Sequence, residues 1–339
     1  MAQNALDAAG ERRPLLTVSH LSATYHTEDE TIPAVRDVSL ELYEGEVLAL
    51  VGESAAGKSS VAHAVLGLLP STATVEGGDV QFRGRSLQAL STDELRAVRG
   101  AEIAMIFQDA LAALTPTLRV GEQLAELFRA HRNMSEREAN AEAMRVLGTL
   151  FPDPDRIFDS FPFQLSGGMA QRVMVALATA LEPLIVIADE PTANLDPGVR
   201  MEMLQRLEAM RDELGVSILL ITHDFGVVAR LADRVSVMYA GEIVETADVR
   251  RIFRTPKHPY TFGLLQSLPT LESTERLTMM PGNPPDLGSL PPECPFLPRC
   301  RKATTQCRTD PAPRLVPVEG SAEGHLVACY NPMAVSLRD

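Results

Sequence analysis

Residues 52–59, Gly-Glu-Ser-Ala-Ala-Gly-Lys-Ser, have the spacing G-x-x-x-x-G-K-[ST]. The apolar run at 47–51 that precedes them predicts a buried strand, and residues 58–69 predict the helix that follows. In this setting glycines let backbone N–H groups close around phosphate oxygens, and the helix N-terminus adds a partial positive charge. The motif therefore predicts an α/β fold with a phosphate-binding loop between a strand and a helix.

The side chains of this loop have distinct expected roles. Lys58 is expected to reach the β- and γ-phosphates of a nucleotide, and the Ser59 hydroxyl to ligate Mg²⁺. The candidate nucleotide-binding residues of the stretch are Gly52, Ser54, Ala55, Ala56, Gly57, Lys58, Ser59 and Ser60.

Two carboxylates follow a second apolar run, at residues 184–188. Asp189 is expected at the carboxyl end of that strand, where ligands of open α/β sheets gather, and it could hold Mg²⁺ through water. Glu190 comes next and is placed to polarise an attacking water as a general base. Acidic residues after a strand are often only a solvated loop, but the phosphate loop in the same chain favours the catalytic interpretation.

The remaining pattern indicates the architecture around these motifs. The unbroken apolar run at 218–221 predicts another strand covered on both faces, as in a parallel sheet. Residues 235–239 and 242–246 predict an antiparallel hairpin. Residues 120–150 predict a helical insertion, in which Ser135 and Glu136 open the second helix. After Tyr260 the Pro, Gly and Cys content rises and periodicity fades, which predicts a loop-rich C-terminal segment.

Charge and hydropathy exclude several classes of protein. The formal net charge is −14, which argues against a nucleic-acid binder, because such a protein needs a basic face. No apolar run reaches the ~18 residues that would span a bilayer. Residues 1–14 carry charges of both signs and predict a disordered tail rather than a signal peptide. We therefore expect a cytoplasmic chain whose membrane role, if any, depends on partners.

Leu165-Ser166-Gly167-Gly168-Met169 closely resembles the signature motif of ABC (ATP-binding cassette) ATPases. A Ser-Gly-Gly turn that opens a helix is a second anion site. The resemblance implies that two cassettes meet head to tail and that each ATP is held between one phosphate loop and the other subunit's Ser166, Gly167 and Gly168. The signature precedes Asp189 by one predicted helix, which is the order found in the family.

Four further positions take their expected roles from the same resemblance. Tyr25 resembles the aromatic residue that stacks on adenine. Gln108 resembles the glutamine that touches Mg²⁺ and the attacking water, in a stretch that couples to membrane subunits. Asp196 resembles the loop that communicates across the dimer, and His223 the switch histidine that contacts the γ-phosphate. Each of these residue types is uninformative when it stands alone.

The resemblance implies a RecA-like P-loop ABC nucleotide-binding domain at 15–264, followed by a C-terminal extension at 265–339. An antiparallel β subdomain near the N-terminus and a helical subdomain at about 105–170 are expected within the domain. Two residues depart from the family pattern. Ala55 replaces a usual Gly, which costs ~1 kcal/mol or more if φ there is positive and nothing if it is helical. Ala170 replaces a usual Arg or Gln and removes a polar side chain near the partner's site.

The absence of a second cassette and of membrane helices favours a separate importer subunit. Residues 257–261, 293–300 and 325–330 resemble the C-terminal region of oligopeptide and dipeptide permease ATPases, which implies peptide import. The implied partners are two transmembrane permease subunits, a second ABC ATPase subunit that is a paralogue, and an extracytoplasmic substrate-binding protein, with no nucleic acid. The implied location is peripheral, at the cytoplasmic face of the inner membrane. Import of nickel or another small solute, and a non-transport regulatory ATPase, remain alternatives.

All four cysteines, Cys294, Cys300, Cys307 and Cys329, lie in the C-terminal segment. Four thiolates suit a [4Fe–4S] cluster or Zn²⁺. The spacings of five, six and 21 intervening residues lack the C-x-x-C pairs typical of zinc, which ranks zinc second, and reduced inert thiols are the third possibility. The family resemblance favours the cluster. Because the segment lies beyond the cassette, we expect a structural or redox-sensing role and no part in phosphoryl transfer.

Overall fold

The computed structural model describes residues 13–28, 30–193, 195–268, 280–321 and 324–334. It divides into two compact units. The helical unit comprises Tyr43–Glu46 and Ala89–Ile221, and the strand-rich unit comprises Pro14–Leu42, Val47–Gln88 and the described part of Thr222–Asp339. The predicted disordered tail falls almost entirely on residues 1–12, outside the described residues, and the first strand begins at Pro14.

The strands are β1 (Pro14–His26), β2 (Thr31–Tyr43), β3 (Val47–Val51), β4 (Ala73–Phe82), β5 (Arg85–Ser86), β6 (Ile103–Ile106), β7 (Ile185–Asp189), β8 (Ser217–Thr222), β9 (Arg234–Tyr239), β10 (Glu242–Asp248), β11 (Val316–Pro317) and β12 (Leu326–Val327). The helices are α1 (Lys58–Val65), α2 (Thr92–Val98), α3 (Ala110–Ala113), α4 (Val120–His131), α5 (Glu136–Gly148), α6 (Pro154–Asp159), α7 (Gly167–Thr179), α8 (Pro197–Asp212), α9 (Phe225–Leu231), α10 (Val249–Arg254), α11 (Pro259–Gln266) and α12 (Gln306–Thr309). Three 3₁₀ turns span Pro162–Gln164, Leu287–Ser289 and Leu297–Arg299.

An antiparallel sheet opens the strand-rich unit, with strand order β2-β1-β4-β5. β1 pairs antiparallel with β4, and β4 with β5. Along the second half of β2, buried Val38, Leu40 and Leu42 alternate with exposed Ser39 and Glu41, as expected of a strand with one solvated face. The predicted antiparallel subdomain near the N-terminus is confirmed.

The second sheet region of this unit carries the strand that leads into the phosphate loop. β3 is fully buried and pairs parallel with β9, and β9 and β10 form the predicted antiparallel hairpin. Ala240 and Gly241 both have positive φ, 49° and 83°, as a tight hairpin turn requires. β12 then pairs with β10, and β11 with β12, which the sequence pattern did not predict.

Three parallel strands form the centre of the helical unit, in the order β6-β7-β8. Every residue of β7 and β8 is buried, which confirms the strands predicted from unbroken apolar runs. The predicted helical insertion is also present. Ser135 caps α5 and exchanges hydrogen bonds with Glu138, so that sequence correctly located the start of this helix.

One predicted helix is shorter than expected. Residues 58–69 were predicted to be helical, but α1 ends at Val65. Gly67 has a φ of 61°, and its N–H donates to the carbonyl of Ala64. A residue in the left-handed conformation ends a helix and satisfies its last carbonyls.

The described residues of the C-terminal segment, 280–321 and 324–334, contain only short elements, in agreement with the loop-rich prediction. Fully buried Glu245 of β10 connects this segment, through His325, to the rest of the strand-rich unit. Its carboxylate accepts hydrogen bonds from the N–H groups of Lys257 and His258 at 2.7 and 2.8 Å, and it pairs with His325 Nε2 at 2.8 Å. The proposed domain limit after residue 264 stays a prediction.

No helix within the described residues combines the length and apolar character needed to cross a bilayer.

Candidate nucleotide-binding residues

The phosphate loop of the strand-rich unit packs tightly against its own unit, and two glycines make this possible. A Cβ at Gly52 would stand 2.2 Å from the carbonyl oxygen of Met238. A Cβ at Gly57 would stand 2.1 Å from the carbonyl oxygen of Ala34, and φ there is 100°. Neither position can take a side chain without moving the backbone, so both glycines are fixed by close approach.

Lys58 begins α1 and is directed back into the loop. Its side chain is buried, and Nζ donates to the carbonyl oxygens of Gly52 at 2.9 Å and Glu53 at 3.0 Å. The carbonyl of Ala56 accepts from Gly241 N–H at 3.0 Å, which fixes the other side of the loop. The ammonium group is therefore held at the mouth of a loop whose backbone turns around it, where phosphate oxygens can replace the carbonyls as its partners.

Ala55, one of the two departures from the family pattern, adopts a φ of 64°. The sequence left open whether this position is helical. The structure shows that it is left-handed, so the alanine side chain is strained by ~1 kcal/mol or more.

Replacing Ala55 by glycine should stabilise the protein. Relief of the left-handed strain outweighs the larger entropy of glycine in the unfolded chain, for a net gain of ~0.5–1 kcal/mol. Thermal unfolding of the two proteins measures the difference. The matched control is Ala56→Gly, because Ala56 lacks a positive φ and is buried. The control should lose stability, and a loss in Ala55→Gly as well would contradict the strain argument.

Two other predicted residues lie in the strand-rich unit. The hydroxyl of Tyr25, near the end of β1, lies 3.1 Å from Ser60 Oγ in the first turn of α1. The structure therefore brings Tyr25 beside the phosphate loop, although 35 residues separate it from Ser60. His223 is exposed and directly follows β8, and the next residue, Asp224, caps α9 through the N–H of Gly226 at 2.8 Å.

The two carboxylates of the helical unit lie where β7 ends. Asp189 is its last residue and is only 3% exposed. Glu190 has a φ of 45°, and its N–H donates to Ile221 O of neighbouring β8 at 2.8 Å. A left-handed conformation at a non-glycine residue is strained, and such residues cluster at functional sites. The backbone thus changes direction at Glu190, directly after the end of β7.

Gln108 follows β6 and lines an open cleft of about 870 Å³ in the helical unit. Gly167, Gln171 and Leu195 line the same cleft. Buried Gln171 donates from Nε2 to the carbonyl of Pro191 at 3.1 Å, so it connects the signature helix to the turn that follows Glu190. The sequence assigned no role to Gln171, and its only signal was its place just after the Ser-Gly-Gly turn.

The signature residues open α7 and are accessible. Ser166 caps the helix and accepts from Met169 N–H at 3.3 Å, and Gly167 is exposed with no atom near its missing Cβ. Gly168 faces the side chain of Val199. Ala170, in contrast, is fully buried in the helical unit. The structure places this departure from the family pattern in the interior of the unit, and its expected effect near a partner's site stays a prediction.

Asp196 is the N-cap of α8 in the helical unit. Its Oδ1 accepts from the N–H groups of Gly198 at 3.1 Å and Val199 at 3.2 Å. The carboxylate therefore has a local structural task, and a role in communication across a dimer stays a prediction.

The predicted site residues thus fall in two groups. The phosphate loop, Tyr25 and His223 belong to the strand-rich unit, and the helical unit contains the others, namely Gln108, Ser166, Gly167, Gly168, Asp189, Glu190 and Asp196.

The four cysteines are free thiols and line one small cavity in the strand-rich unit, together with His258 and Phe296. Burial raises the pKa of Cys294 and Cys300, and it raises that of Cys329 to about 12. Burial also lowers the pKa of His258 to about 4. Among the described residues, no group of three or more His, Cys, Asp or Glu side chains is arranged as metal ligands. The four cysteines thus line one cavity without forming a preformed metal site.

Two family models match the chain. The ABC transporter model covers residues 35–193, which include the phosphate loop, the signature and the two carboxylates. The model for the C-terminal region of oligopeptide/dipeptide transporters covers residues 244–307, from β10 to the third cysteine.

Curated relatives match over nearly their whole length. The dipeptide transport ATP-binding protein DppD of Bacillus subtilis is 44% identical, over 93% of this chain and 94% of the relative. The oligopeptide transport ATP-binding protein OppD of Salmonella typhimurium is 42% identical over 98% of each chain.

Solved structures show the same fold. The ATP-binding cassette MJ0796, in a dimeric post-hydrolysis state bound to ADP and Pi, has a TM-score of 0.62 at 30% identity, and the match covers 69% of this chain and 99% of that cassette. This chain therefore has the RecA-like P-loop cassette fold expected from its sequence. The chain therefore belongs to the ABC transporter family as one of its Mg²⁺-dependent ATPases, in the group that carries the oligopeptide/dipeptide transporter C-terminal region.

Proposed function

We propose that this chain energises the uptake of dipeptides or oligopeptides as the ATP-hydrolysing subunit of a membrane importer. The observation that carries the proposal is the C-terminal region. It matches the oligopeptide/dipeptide transporter model, and it is integrated into the strand-rich unit through the β10–β12 pairing and Glu245. Two relatives match this chain over nearly its whole length, so their matches include this region. Both are named for the transport of dipeptides or oligopeptides.

The nucleotide chemistry is assigned to particular residues in this proposal. Backbone N–H groups of residues 52–60 and the Lys58 ammonium bind the phosphates, and Tyr25 stacks on the adenine. Ser59, Gln108 and Asp189 hold Mg²⁺, which neutralises charge on the phosphates. The accessible N-terminus of α7, with Ser166, Gly167 and Gly168, completes the site of a second ATPase subunit.

Hydrolysis in this proposal depends on Glu190 and His223. Glu190 accepts a proton from the water that attacks the γ-phosphate, and His223 donates a hydrogen bond to the phosphoryl oxygens as charge develops there. Gln108 orients the water and transmits the change to the membrane subunits. Asp196 lies in the loop that faces the second ATPase.

The proposed complex contains two transmembrane permease subunits, a second and different ATPase subunit, and an extracytoplasmic substrate-binding protein. The chain is bound peripherally at the cytoplasmic face of the inner membrane. Selectivity for the solute lies in the substrate-binding protein and the channel, so nickel or another small solute remains the alternative cargo.

A two-step experiment tests the proposal. The tagged chain, expressed at its native level, is purified from detergent-solubilised membranes, and its partners are identified by mass spectrometry. We expect two multi-span membrane proteins and a second ATPase. Uptake of labelled dipeptide, oligopeptide and Ni²⁺ is then compared in cells with the intact chain and with Lys58→Ala. Isolation with soluble or nucleic-acid partners only would contradict the importer, and loss of Ni²⁺ uptake alone would contradict the peptide cargo.

The cysteine cavity forms a second part of the proposal: Cys294, Cys300, Cys307 and Cys329 together hold one [4Fe–4S] cluster. Four soft thiols that line one mostly apolar cavity fit such a group in number and chemistry. The bound cluster would crosslink a segment with little regular structure. Zn²⁺ is the second candidate.

Anaerobically purified protein should be brown and contain about four irons and four sulfides per chain. Cys307→Ser should lower the iron content, whereas Ser289→Ala, in the same segment, should leave it unchanged. Iron and zinc analysis and the visible absorption spectrum provide the measurement. Stoichiometric zinc without iron would replace the cluster by the zinc site, and four freely alkylated thiols without either metal would contradict both.

A further inference from the structure

Arg299, in the C-terminal segment, forms a two-point ion pair with the phosphate loop. Its Nη1 lies 2.6 Å from Oε2 of Glu53 and its Nη2 lies 2.9 Å from Oε1. The side chain of Arg299 is 4% exposed and that of Glu53 27%. Paired N–H groups on both carboxylate oxygens are the strongest geometry such a pair can have, and here they join residues 246 positions apart.

Other contacts fix the guanidinium of Arg299 in place. Its Nε donates to the carbonyl of Pro281 at 2.9 Å, and Nη1 also approaches the Tyr239 hydroxyl at 3.4 Å. The group stacks over the Tyr239 ring at 5.8 Å from the centroid. Hydrogen bonding to Glu53 raises the pKa of Arg299, so it stays charged. The arginine is oriented before it meets the loop, which limits the entropy lost in the pair.

A second contact holds the backbone of the same loop residue. The N–H of Glu53 donates to the hydroxyl of Tyr260 at 2.8 Å. Tyr260 is fully buried, and its ring packs on Tyr239 and Phe296 with centroids 4.5 and 5.5 Å away. The carbonyl of Glu53 is one of the two that accept from Lys58 Nζ. Side chain, N–H and carbonyl of this single residue therefore have fixed partners.

The negative charge of Glu53 explains why its contact with Arg299 matters for nucleotide binding. A carboxylate between Gly52 and Ser54 lies within a loop that has to accept a polyanion, and an unpaired negative charge there would repel it. The ion pair with Arg299 offsets this negative charge and fixes the orientation of the Glu53 carboxylate. The fold thus brings residue 299 of the C-terminal segment against residue 53 of the phosphate loop.

We propose that Arg299 and Tyr260 are positioning residues for the phosphate loop, and that Arg299 in addition neutralises Glu53 so that an anionic nucleotide can enter. The C-terminal segment is then part of the nucleotide site of its own chain. This inference rests on the proposed nucleotide role of the loop, and it is independent of the transported solute and of any cluster.

The test compares two substitutions that break the same ion pair, one at Arg299 and one at Glu53. We expect them to have different effects on the KM for ATP. In the full complex, Arg299→Met should raise the KM for ATP by about tenfold, with a smaller change in kcat, because it leaves the Glu53 charge in the loop. Glu53→Gln breaks the same pair but removes the negative charge, so the KM for ATP should stay within about twofold of the unaltered protein or fall. The double variant Arg299→Met/Glu53→Gln should recover most of the affinity lost in Arg299→Met.

Two reference variants distinguish a failure of the proposed nucleotide role of the loop from a failure of the inference about Arg299. Arg301→Met, at an exposed arginine two positions away, should leave the KM unchanged. Lys58→Ala should abolish ATP binding, and if it does not, the proposed role of the loop itself is wrong. If Lys58→Ala abolishes binding while Arg299→Met leaves the KM unchanged, only the present inference fails. Equal increases in KM for Arg299→Met and Glu53→Gln would show a merely structural pair and would also overturn it.

A second measurement covers the case in which Arg299→Met does not fold. Arg299→Lys keeps the charge but loses the two-point geometry, and Tyr260→Phe removes only the hydroxyl that accepts from Glu53 N–H. Both should raise the KM for ATP by about threefold, without a loss of the folded state. Unchanged KM values in both variants would contradict the positioning role.

Discussion

Replacing Glu190 by glutamine should slow ATP hydrolysis by at least ~100-fold, which is the usual worth of a general base, while ATP binding is kept. Glutamine has the same shape and tolerates the left-handed φ of 45° as glutamate does, so the turn after β7 should be preserved. The amide cannot accept the proton of the attacking water. Phosphate release by the full complex and equilibrium nucleotide binding measure the two quantities.

Glu213→Gln is the matched control in the same unit. Glu213 is exposed and follows α8, so its replacement should leave turnover unchanged. The second ATPase subunit must carry the equivalent replacement, because its own site could otherwise supply the measured activity. Unchanged turnover in the doubly replaced complex would remove Glu190 from the role of general base.

The second large effect is expected at Gly57, where alanine should weaken nucleotide binding by at least ~30-fold, equivalent to ~2 kcal/mol. The new Cβ would stand 2.1 Å from the Ala34 carbonyl oxygen, and φ is 100°. The loop must therefore shift, and the N–H groups that surround the phosphates shift with it. Binding of a fluorescent ATP analogue is the appropriate measurement.

Gly215→Ala separates strain from close approach. Gly215 also has a positive φ, 68°, but no atom lies within 4 Å of the position of its missing Cβ. Its replacement should cost ~1 kcal/mol of stability and leave nucleotide binding unchanged. Normal binding by Gly57→Ala would mean that the loop can adapt, and that close packing against Ala34 does not determine its function.

Much of the fold followed from local pattern. The strands at β3, β7 and β8 were predicted because each is buried on both faces, which requires an unbroken apolar run. The start of α5 was predicted because a capping box is a short-range signal. The end of α1 was missed because an isolated glycine does not reveal its φ from sequence alone.

The parts of the candidate site that consist of consecutive residues could be predicted from the sequence. The parts that depend on contacts between residues far apart in the sequence could not. The phosphate loop was found from its spacing, and the signature turn from its resemblance to the family motif. The contact of Arg299 with Glu53 was not, because a single buried ion pair between distant residues leaves no periodicity. The backbone conformation of Ala55 could likewise not be predicted. The same sequence is compatible with a helical or a left-handed φ at this position until the packing around Gly52 and Gly57 is known.

Glu245 sets a condition on any recombination of this chain with its relatives. Its carboxylate has no access to solvent and takes its partners from Lys257, His258 and His325. A chimera that exchanged everything after α11 for a segment without a histidine at the position of His325 would leave this buried carboxylate unpaired on one side, which costs several kcal/mol. A crossover point in front of β10 keeps the carboxylate and these three partners in one exchanged block. Hybrid cassettes joined there should fold, whereas hybrids joined after α11 should require either a histidine at the position of His325 or a matched replacement at position 245.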